Sequence, residues 1–252
     1  MPAPILTFRD VAKSYGEVTA LRGVSLDIAP GAFVALVGES GSGKSTLLKT
    51  VNALIAPGAG SVLLEGEDVA ALPAPALRRR IGYVFQAIGL FPHMNVGENI
   101  GIGLKLAGER DRDARIAEML ELVELDAAMA PRMPSELSGG QRQRVGVARA
   151  LAPQPELLLM DEPFGALDPV TRDSLGERVR ELHRRLGLTT VMVTHDMAEA
   201  LLLADRVLVM SGGRIVADET PAGLLAGGGG EEAQALVAVP RAQAEKLAGL
   251  ER

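Results

Sequence analysis

The sequence contains no cysteine and only three histidines among its 252 residues. Without a thiol the chain has no disulfide, no cysteine-ligated zinc or iron–sulfur cluster and no cysteine nucleophile, which is compatible with a reducing cytoplasm. The histidines, His93, His183 and His195, are far apart in the sequence, and no two of them form a His-x-x-x-His pair. A metal centre built on histidine is therefore not expected.

Aromatic residues are scarce, at 3% of the chain with no tryptophan, and the formal net charge is −6. Few rings are available for stacking against bases, and an acidic balance works against electrostatic attraction to nucleic acid. The basic run Arg78–Arg80 is most simply a solvated face of a short helix. No nucleic-acid partner is expected.

Long hydrophobic runs are missing as well. No stretch approaches the about 18 apolar residues of a membrane-spanning helix, and Met1–Thr7 has neither a basic start nor a sustained apolar segment. The content of 47% hydrophobic and 23% charged residues is typical of a folded, soluble chain. The length fits one large domain or a domain with a small appendage.

What the sequence does contain is an alternation of strand-like and helix-like segments. Short apolar runs such as Ile5–Phe8, Val24–Ile28 and Phe33–Val37 are typical of strands. The segment from about residue 95 to 152, in contrast, has the spacing of helices. This order predicts an α/β fold with a mostly parallel core sheet and a helical insertion. We expect one domain over 1–225, followed at 226–252 by a short Gly-rich linker and a C-terminal tail.

The segment after the predicted strand Phe33–Val37 fits the phosphate-loop pattern G-x-x-x-x-G-K-[ST], and helical spacing follows it. Glycines let backbone N–H groups approach a phosphate, Lys44 can reach the β and γ phosphates, and Ser45 can bind Mg²⁺. A nucleotide and Mg²⁺ are therefore the predicted cofactors. The predicted nucleotide-binding residues of this loop are Gly38, Glu39, Ser40, Gly41, Ser42, Gly43, Lys44, Ser45 and Thr46.

Two carboxylates follow the apolar run Leu157–Met160. Asp161 is predicted to face the Mg²⁺ shell, and Glu162 to polarise a water for in-line attack on the γ phosphate. Alone, two acids after a strand are more often a solvated edge. Their combination with a phosphate loop favours the catalytic interpretation.

The pentapeptide Leu137–Gln141 begins a helix that extends to about Ala152, with Ser138 and Gln141 spaced as a capping box. Gly139 and Gly140 in a first turn reduce helix stability, which makes sense if the turn must approach an anion closely. This pentapeptide, downstream of a phosphate loop, resembles the signature of the ATP-binding cassette (ABC) ATPases. The resemblance extends from Ile5 to Leu225. It implies a P-loop NTPase fold with an N-terminal antiparallel β subdomain and an inserted α-helical subdomain.

The resemblance also implies roles for single residues. Tyr15 matches the aromatic that stacks on adenine, Gln86 the glutamine that senses Mg²⁺ and the attacking water, and His195 the switch histidine near the γ phosphate. Asp168 matches the aspartate that crosses the dimer interface. The implied catalytic set is Lys44, Gln86, Glu162 and His195; the metal ligands are Ser45, Gln86 and Asp161; the further nucleotide contacts are Tyr15, Ser138, Gly139, Gly140, Gln141 and Asp168.

The partners that the resemblance implies are a second ATPase subunit and proteins of a membrane. Two copies would form a head-to-tail homodimer, in which Ser138 of one closes over ATP held by Lys44 of the other. They would drive a separate integral-membrane permease, and indirectly a solute-binding protein, from the cytoplasmic face of the inner (plasma) membrane. The ATPase would bind there peripherally.

The transported solute is indicated by two segments, Ile88–Met94 and Val51–Ile55, which are similar to ATPases of osmoprotectant importers for glycine betaine and choline. Many members of that group carry a C-terminal pair of CBS-type domains, whereas here the residues 231–252 follow the glycine run. Importers of polyamines, sulfate or amino acids are the close alternative. A non-transport ABC ATPase and a small-molecule phosphoryl transferase are the alternatives from other classes.

Overall fold

The computed structural model describes residues 3–86 and 89–250, which divide into two compact units. The first unit comprises the chain up to Leu72 and from Val191 onward, and the second comprises Pro73–Thr190. Within the described ranges, none of the helices combines the length and apolarity that a membrane crossing requires.

An antiparallel sheet opens the first unit. Its strands, in spatial order, are β2 (Val18–Ile28), β1 (Leu6–Tyr15), β4 (Ala59–Leu64) and β5 (Glu67–Asp68). Leu6, Phe8 and Val11 of β1 are buried, and exposed or half-buried residues lie between them. The predicted strands Ile5–Phe8 and Val24–Ile28 are therefore parts of longer strands, because their pairing continues to the tight turn at Gly16, where φ is 57°.

In the same unit, β3 (Phe33–Val37) pairs in parallel with β9 (Arg206–Ser211). All five residues of β3 are buried, as a strand of a parallel sheet requires. The antiparallel strand β10 (Arg214–Glu219) follows β9. Along the chain, the boundary between the two units falls within the strand β8 (Thr189–Val193).

The helices of the first unit are α1 (Lys44–Val51), α7 (Met197–Leu203), α8 (Pro221–Leu225) and α9 (Gly230–Leu250). The last of these occupies most of the segment expected to be a linker and tail. Ala233 and Val237 of α9 are buried, and Gln234 donates from Nε2 to the carbonyls of Leu224 at 2.9 Å and Gly228 at 2.6 Å. The first turns of α9 are thus packed, whereas residues 241–249 are exposed.

The second unit pairs β6 (Ile81–Val84) with β7 (Leu157–Asp161) in parallel. Its helices are α2 (Ala74–Arg80), α3 (Val96–Leu106), α4 (Asp113–Leu122), α5 (Gly139–Leu151) and α6 (Pro169–Leu186), with short 3-10 turns at Ala127–Met129 and Pro134–Glu136. On α2, Arg78 and Arg79 are exposed, and Arg80 pairs with Glu156 at 2.9 Å.

Candidate functional site

The loop between β3 and α1 is a cradle of backbone groups. Gly38, Gly41 and Gly43 have φ values of 148°, 80° and 105°. A β-carbon on Gly38 would lie 2.1 Å from the Met210 carbonyl oxygen, and one on Gly43 would lie 2.3 Å from that of Ala20. Only glycine fits at these two positions, because the loop packs there directly against the backbone of β9 and β2.

Lys44 lies inside this cradle, with 6% of its surface exposed. Its ammonium donates to the carbonyl oxygens of Gly38 at 2.8 Å and Glu39 at 2.7 Å. The N-cap of α1 is Gly43, which provides no side-chain cap, so the positive end of the helix dipole points into the loop. A buried cation and a helix N-terminus at one place make an anion site.

Tyr15 and His195 are also in the first unit. Tyr15, at the end of β1, is 49% exposed, and the Lys13 ammonium lies 5.5 Å from its ring centroid. His195 is exposed and lies between β8 and α7, directly before Asp196, whose side chain caps α7 by accepting from the Ala198 N–H at 2.8 Å. Both rings are therefore accessible to solvent.

The carboxylate predicted to face Mg²⁺ is buried at the end of β7 in the second unit. Asp161 is 1% exposed, and the Tyr83 hydroxyl on β6 donates towards its Oδ2 at the long distance of 3.5 Å. Burial, and after it the charge of Asp161, raises the pKa of Tyr83 well above the usual range. Tyr83 therefore stays protonated and remains a donor. Tyr83 was assigned no role from the sequence, because the pairing of β6 with β7 that brings it to Asp161 is visible only in the structure.

Glu162 follows Asp161 and meets a second predicted site residue. The Gln86 amide donates from Nε2 to Glu162 Oε2 at 3.1 Å. The structure thus brings together two residues that the sequence analysis assigned to one step, the handling of the attacking water. The neighbouring Ile88 lies outside the described residues.

The signature residues form the N-terminus of α5 in the second unit. The Ser138 hydroxyl accepts from the Gln141 N–H at 3.2 Å, and Gln141 Oε1 accepts from the Ser138 N–H at 2.9 Å, so the predicted capping box is present. Ser138 is exposed, and Gly139 and Gly140 are half-buried. A β-carbon on Gly140 would lie 3.3 Å from the Leu167 side chain, which keeps this turn close to the next loop.

Asp168 caps α6, as its position before Pro169 predicts. Its Oδ1 accepts from the Thr171 N–H at 3.1 Å. Hydrogen bonds from Thr171 lower the pKa of the Asp168 carboxyl, so this exposed group is ionised at neutral pH.

The fully buried side chain of Asn99 forms hydrogen bonds with the backbone of the loop Gly89–Asn95 in the second unit. Its Nδ2 donates to the carbonyl oxygens of Phe91 at 3.1 Å and Met94 at 2.9 Å, and its Oδ1 accepts from the Phe91 N–H at 2.8 Å. The Phe91 ring remains 41% exposed and lies 5.8 Å from the Arg149 guanidinium, which also donates to the Gly89 carbonyl at 2.8 Å. Burial lowers the pKa of Arg149.

Beside this loop, Met94 lines a groove of about 460 Å³ between α3 and α4. Ile102, Ile116 and Leu120 give the groove apolar walls, and Glu98 and Lys105 add charge. Pro92 is exposed, whereas Leu90 and Met94 are half-buried, so the apolar side chains of this loop face solvent only in part.

The predicted residues are divided between the two units. The first unit holds Tyr15, Gly38–Thr46 and His195. The second holds Gln86, Ser138–Gln141, Asp161, Glu162 and Asp168. The predicted metal ligands, Ser45, Gln86 and Asp161, carry the oxygen donors that Mg²⁺ prefers.

Comparison with known proteins gives consistent matches. The family described as ABC transporter matches residues 21–165. The chain is 49% identical to the choline transport ATP-binding protein OpuBA of Bacillus subtilis, over 88% of this chain and 59% of that protein. It is 47% identical to the glycine betaine uptake system ATP-binding protein YehX of Escherichia coli, over 88% and 72% of the two chains.

Another relative of comparable similarity has a different cargo. The sulfate/thiosulfate import ATP-binding protein CysA of Caulobacter vibrioides is 50% identical, over 86% of this chain and 65% of that protein. Among solved structures, the dimeric post-hydrolysis state of the ATP-binding cassette MJ0796 bound to ADP and Pi matches with a TM-score of 0.79 and 34% identity, over 86% and 98% of the chains. Our chain spans 59% and 58% of the length of two of its Bacillus relatives.

Proposed function

This chain belongs to the ABC transporter family, and from that premise we propose that it hydrolyses ATP to drive the uptake of a small solute through a separate permease. The predicted family and fold class are confirmed by the comparisons, and the relatives that are named as ATP-binding transport proteins support the predicted ABC-type ATPase. The observation that carries the proposal is the buried Lys44 ammonium, held by two carbonyl oxygens in a loop that requires glycine at Gly38 and Gly43. Such a cradle is suited to the phosphates of ATP.

In this proposal each residue has one task. The N–H groups of Gly38–Thr46 and the Lys44 ammonium bind the phosphates, and Tyr15 packs on the adenine. Ser45, Gln86 and Asp161 hold Mg²⁺, which neutralises developing charge when it is bound. Glu162 accepts a proton from the attacking water, and the Gln86 amide orients its carboxylate.

Two copies of the chain share each ATP in the proposed assembly. Ser138, Gly139, Gly140 and Gln141 of one copy close over the nucleotide bound by Lys44 of the other, with Asp168 at the interface and His195 near the γ phosphate. The exposure of Ser138 and Asp168 supports this role, and so does the dimeric structure of the relative at 34% identity. A helix N-terminus, such as that of α5, favours the negative charge of a phosphate.

The proposed solute is an osmoprotectant such as glycine betaine or choline. The choline and glycine betaine relatives support it, together with the similarity of Val51–Ile55 and Ile88–Met94 to that group. The sulfate and Fe(3+) import relatives, both 50% identical, keep other solutes as the alternative. The permease, a solute-binding protein and a position on the cytoplasmic face of the membrane belong to the same proposal.

The test is transport by the chain reconstituted with its permease in vesicles that contain ATP on the side of the ATPase. We expect ATP-dependent uptake of radiolabelled glycine betaine or choline, and no uptake with the matched Lys44→Ala chain. Uptake of sulfate but of no quaternary amine would contradict the solute class while leaving the ATPase intact. Absence of ATP hydrolysis by the wild-type complex would contradict the proposed activity itself.

A further inference from the structure

The backbone of Glu162, which carries the proposed catalytic carboxylate, has an unfavourable conformation. Its φ is 50°, in the left-handed region that residues with a side chain rarely adopt. The next residue is Pro163, and a residue before proline prefers an extended conformation. Such a conformation persists only when the surrounding structure holds it in place.

A side chain of α5 contacts the backbone directly after Glu162. Gln143 donates from Nε2 to the Pro163 carbonyl oxygen at 2.7 Å, and only 2% of its surface is exposed. Proline has no N–H, so this carbonyl is the one backbone hydrogen-bonding group that Pro163 offers. The bond is short and shielded from water, which strengthens it.

The rest of the turn is held more weakly by its own backbone. The Gly165 N–H reaches the Glu162 carbonyl at 3.4 Å, and the Leu167 N–H reaches that of Phe164 at 3.1 Å. Phe164 is 1% exposed and anchors the turn in the core. The Gln143 bond therefore adds a shorter restraint, placed next to the residue with the strained backbone.

Gln143 also lowers the stability of the fold at this position. Its Oε1 is buried and has no hydrogen-bond partner within the part of the chain that the structure describes. A buried unpaired acceptor lowers stability, and an apolar side chain of similar length would avoid that loss. The amide thus donates a hydrogen bond to the Pro163 carbonyl, while its own oxygen has no partner among the described residues.

We propose that Gln143 is a positioning residue, which fixes the Pro163 carbonyl and thereby the left-handed turn that presents the Glu162 carboxylate to the attacking water. The inference rests on the proposed function, because it assumes that Glu162 polarises water. It uses residues of the second unit alone. The bond joins the helix that begins at Ser138–Gln141 to the turn that carries the catalytic carboxylate.

The first test replaces the amide with an apolar side chain of similar length, Gln143→Met. We expect kcat for ATP hydrolysis to fall about 10-fold or more, because small misplacements of a reacting group are costly, while KM for ATP and thermal stability stay near wild type. The matched control is Val145→Ala, at a fully buried position about 200° around the same helix. That change should lower the melting temperature but leave kcat near wild type.

These results separate the two levels of the argument. Wild-type kcat in Gln143→Met overturns the positioning role and leaves the proposed function standing. A wild-type chain that does not hydrolyse ATP overturns the proposed function and the inference with it.

A second variant tests whether the donor is what matters. In Gln143→Glu the carboxyl donates to the Pro163 carbonyl only while it is protonated, and burial raises the pKa of such a group. We expect the ratio of its kcat to that of wild type to rise as the pH falls from about 8 to about 6. A ratio that stays as low as that of Gln143→Met at every pH contradicts the donor role.

Discussion

Lys44 and Ser138 are assigned to the same ATP but to different copies of the chain, so their variants should fail in different ways. Lys44→Ala removes a buried ammonium and should weaken ATP binding about 10-fold or more. Ser138→Arg places a long side chain at the exposed start of α5 and should block hydrolysis while ATP affinity stays near wild type. Calorimetric titration with ATP and a phosphate-release assay measure the two properties.

Ser138→Thr is the control for this pair, because threonine still caps the helix and adds little bulk. It should hydrolyse ATP close to the wild-type rate. Normal hydrolysis by Ser138→Arg would contradict the shared site.

Several local features of the candidate site were predictable because they depend on short stretches of the sequence. The glycines of the loop, Lys44 and the capping box of Ser138 with Gln141 follow from local rules of the chain. Tyr83 and Gln143 were not predicted. Their partners, Asp161 and the Pro163 carbonyl, are 78 and 20 residues away in the sequence, and no periodicity encodes such pairs.

At the scale of elements, the helices and strands that flank the motifs agree with their patterns, and the largest difference lies at the end of the chain. Gly227–Gly230 reads as a spacer, yet α9 begins at Gly230, whose φ of 78° turns the chain into the helix. Glu231 and Glu232 lie in the first turn of α9, where their negative charges interact favourably with the helix dipole. The buried Ala233 and Val237 then supply packing that a count of glycines does not anticipate.

We propose that the loop that carries Phe91 receives the permease, because it presents an exposed ring next to an apolar groove. The double variant Phe91→Ala with Met94→Ala removes an exposed ring and one wall of the groove beside α3. Because Asn99 fixes the loop through its backbone, the variant should fold, bind ATP and keep its basal hydrolysis. We expect the wild-type chain, reconstituted with the permease, to show solute-stimulated hydrolysis, and the double variant to lose that stimulation.

Leu106→Ala is the control for that variant, since Leu106 is an exposed apolar residue at the end of α3 and does not line the groove. It should be stimulated as the wild type is. Full stimulation of the double variant would remove Phe91 and Met94 from the proposed coupling.

For the whole molecule, the order of the motifs predicted the family and fold class because phosphate loop, signature and paired acids have to follow one another along this fold. The solute does not follow from that order. Relatives with choline, glycine betaine and sulfate in their names are 49%, 47% and 50% identical, so overall similarity does not separate them. Residues that bind ATP are constrained by a ligand that all such chains share, whereas the solute imposes no comparable constraint on them.

The central claim is that Glu162 drives hydrolysis of ATP shared between two copies of the chain, and the most direct test is the mass of Glu162→Gln in solution with ATP and Mg²⁺. The amide keeps the shape of the side chain but cannot accept the proton of the water, so ATP should bind without turning over. Light scattering after size exclusion should then give a dimer of about twice 26.4 kDa with ATP, and a monomer of 26.4 kDa without it. A Glu162→Gln chain that binds ATP yet remains a monomer, or that hydrolyses ATP at the wild-type rate, would contradict the account.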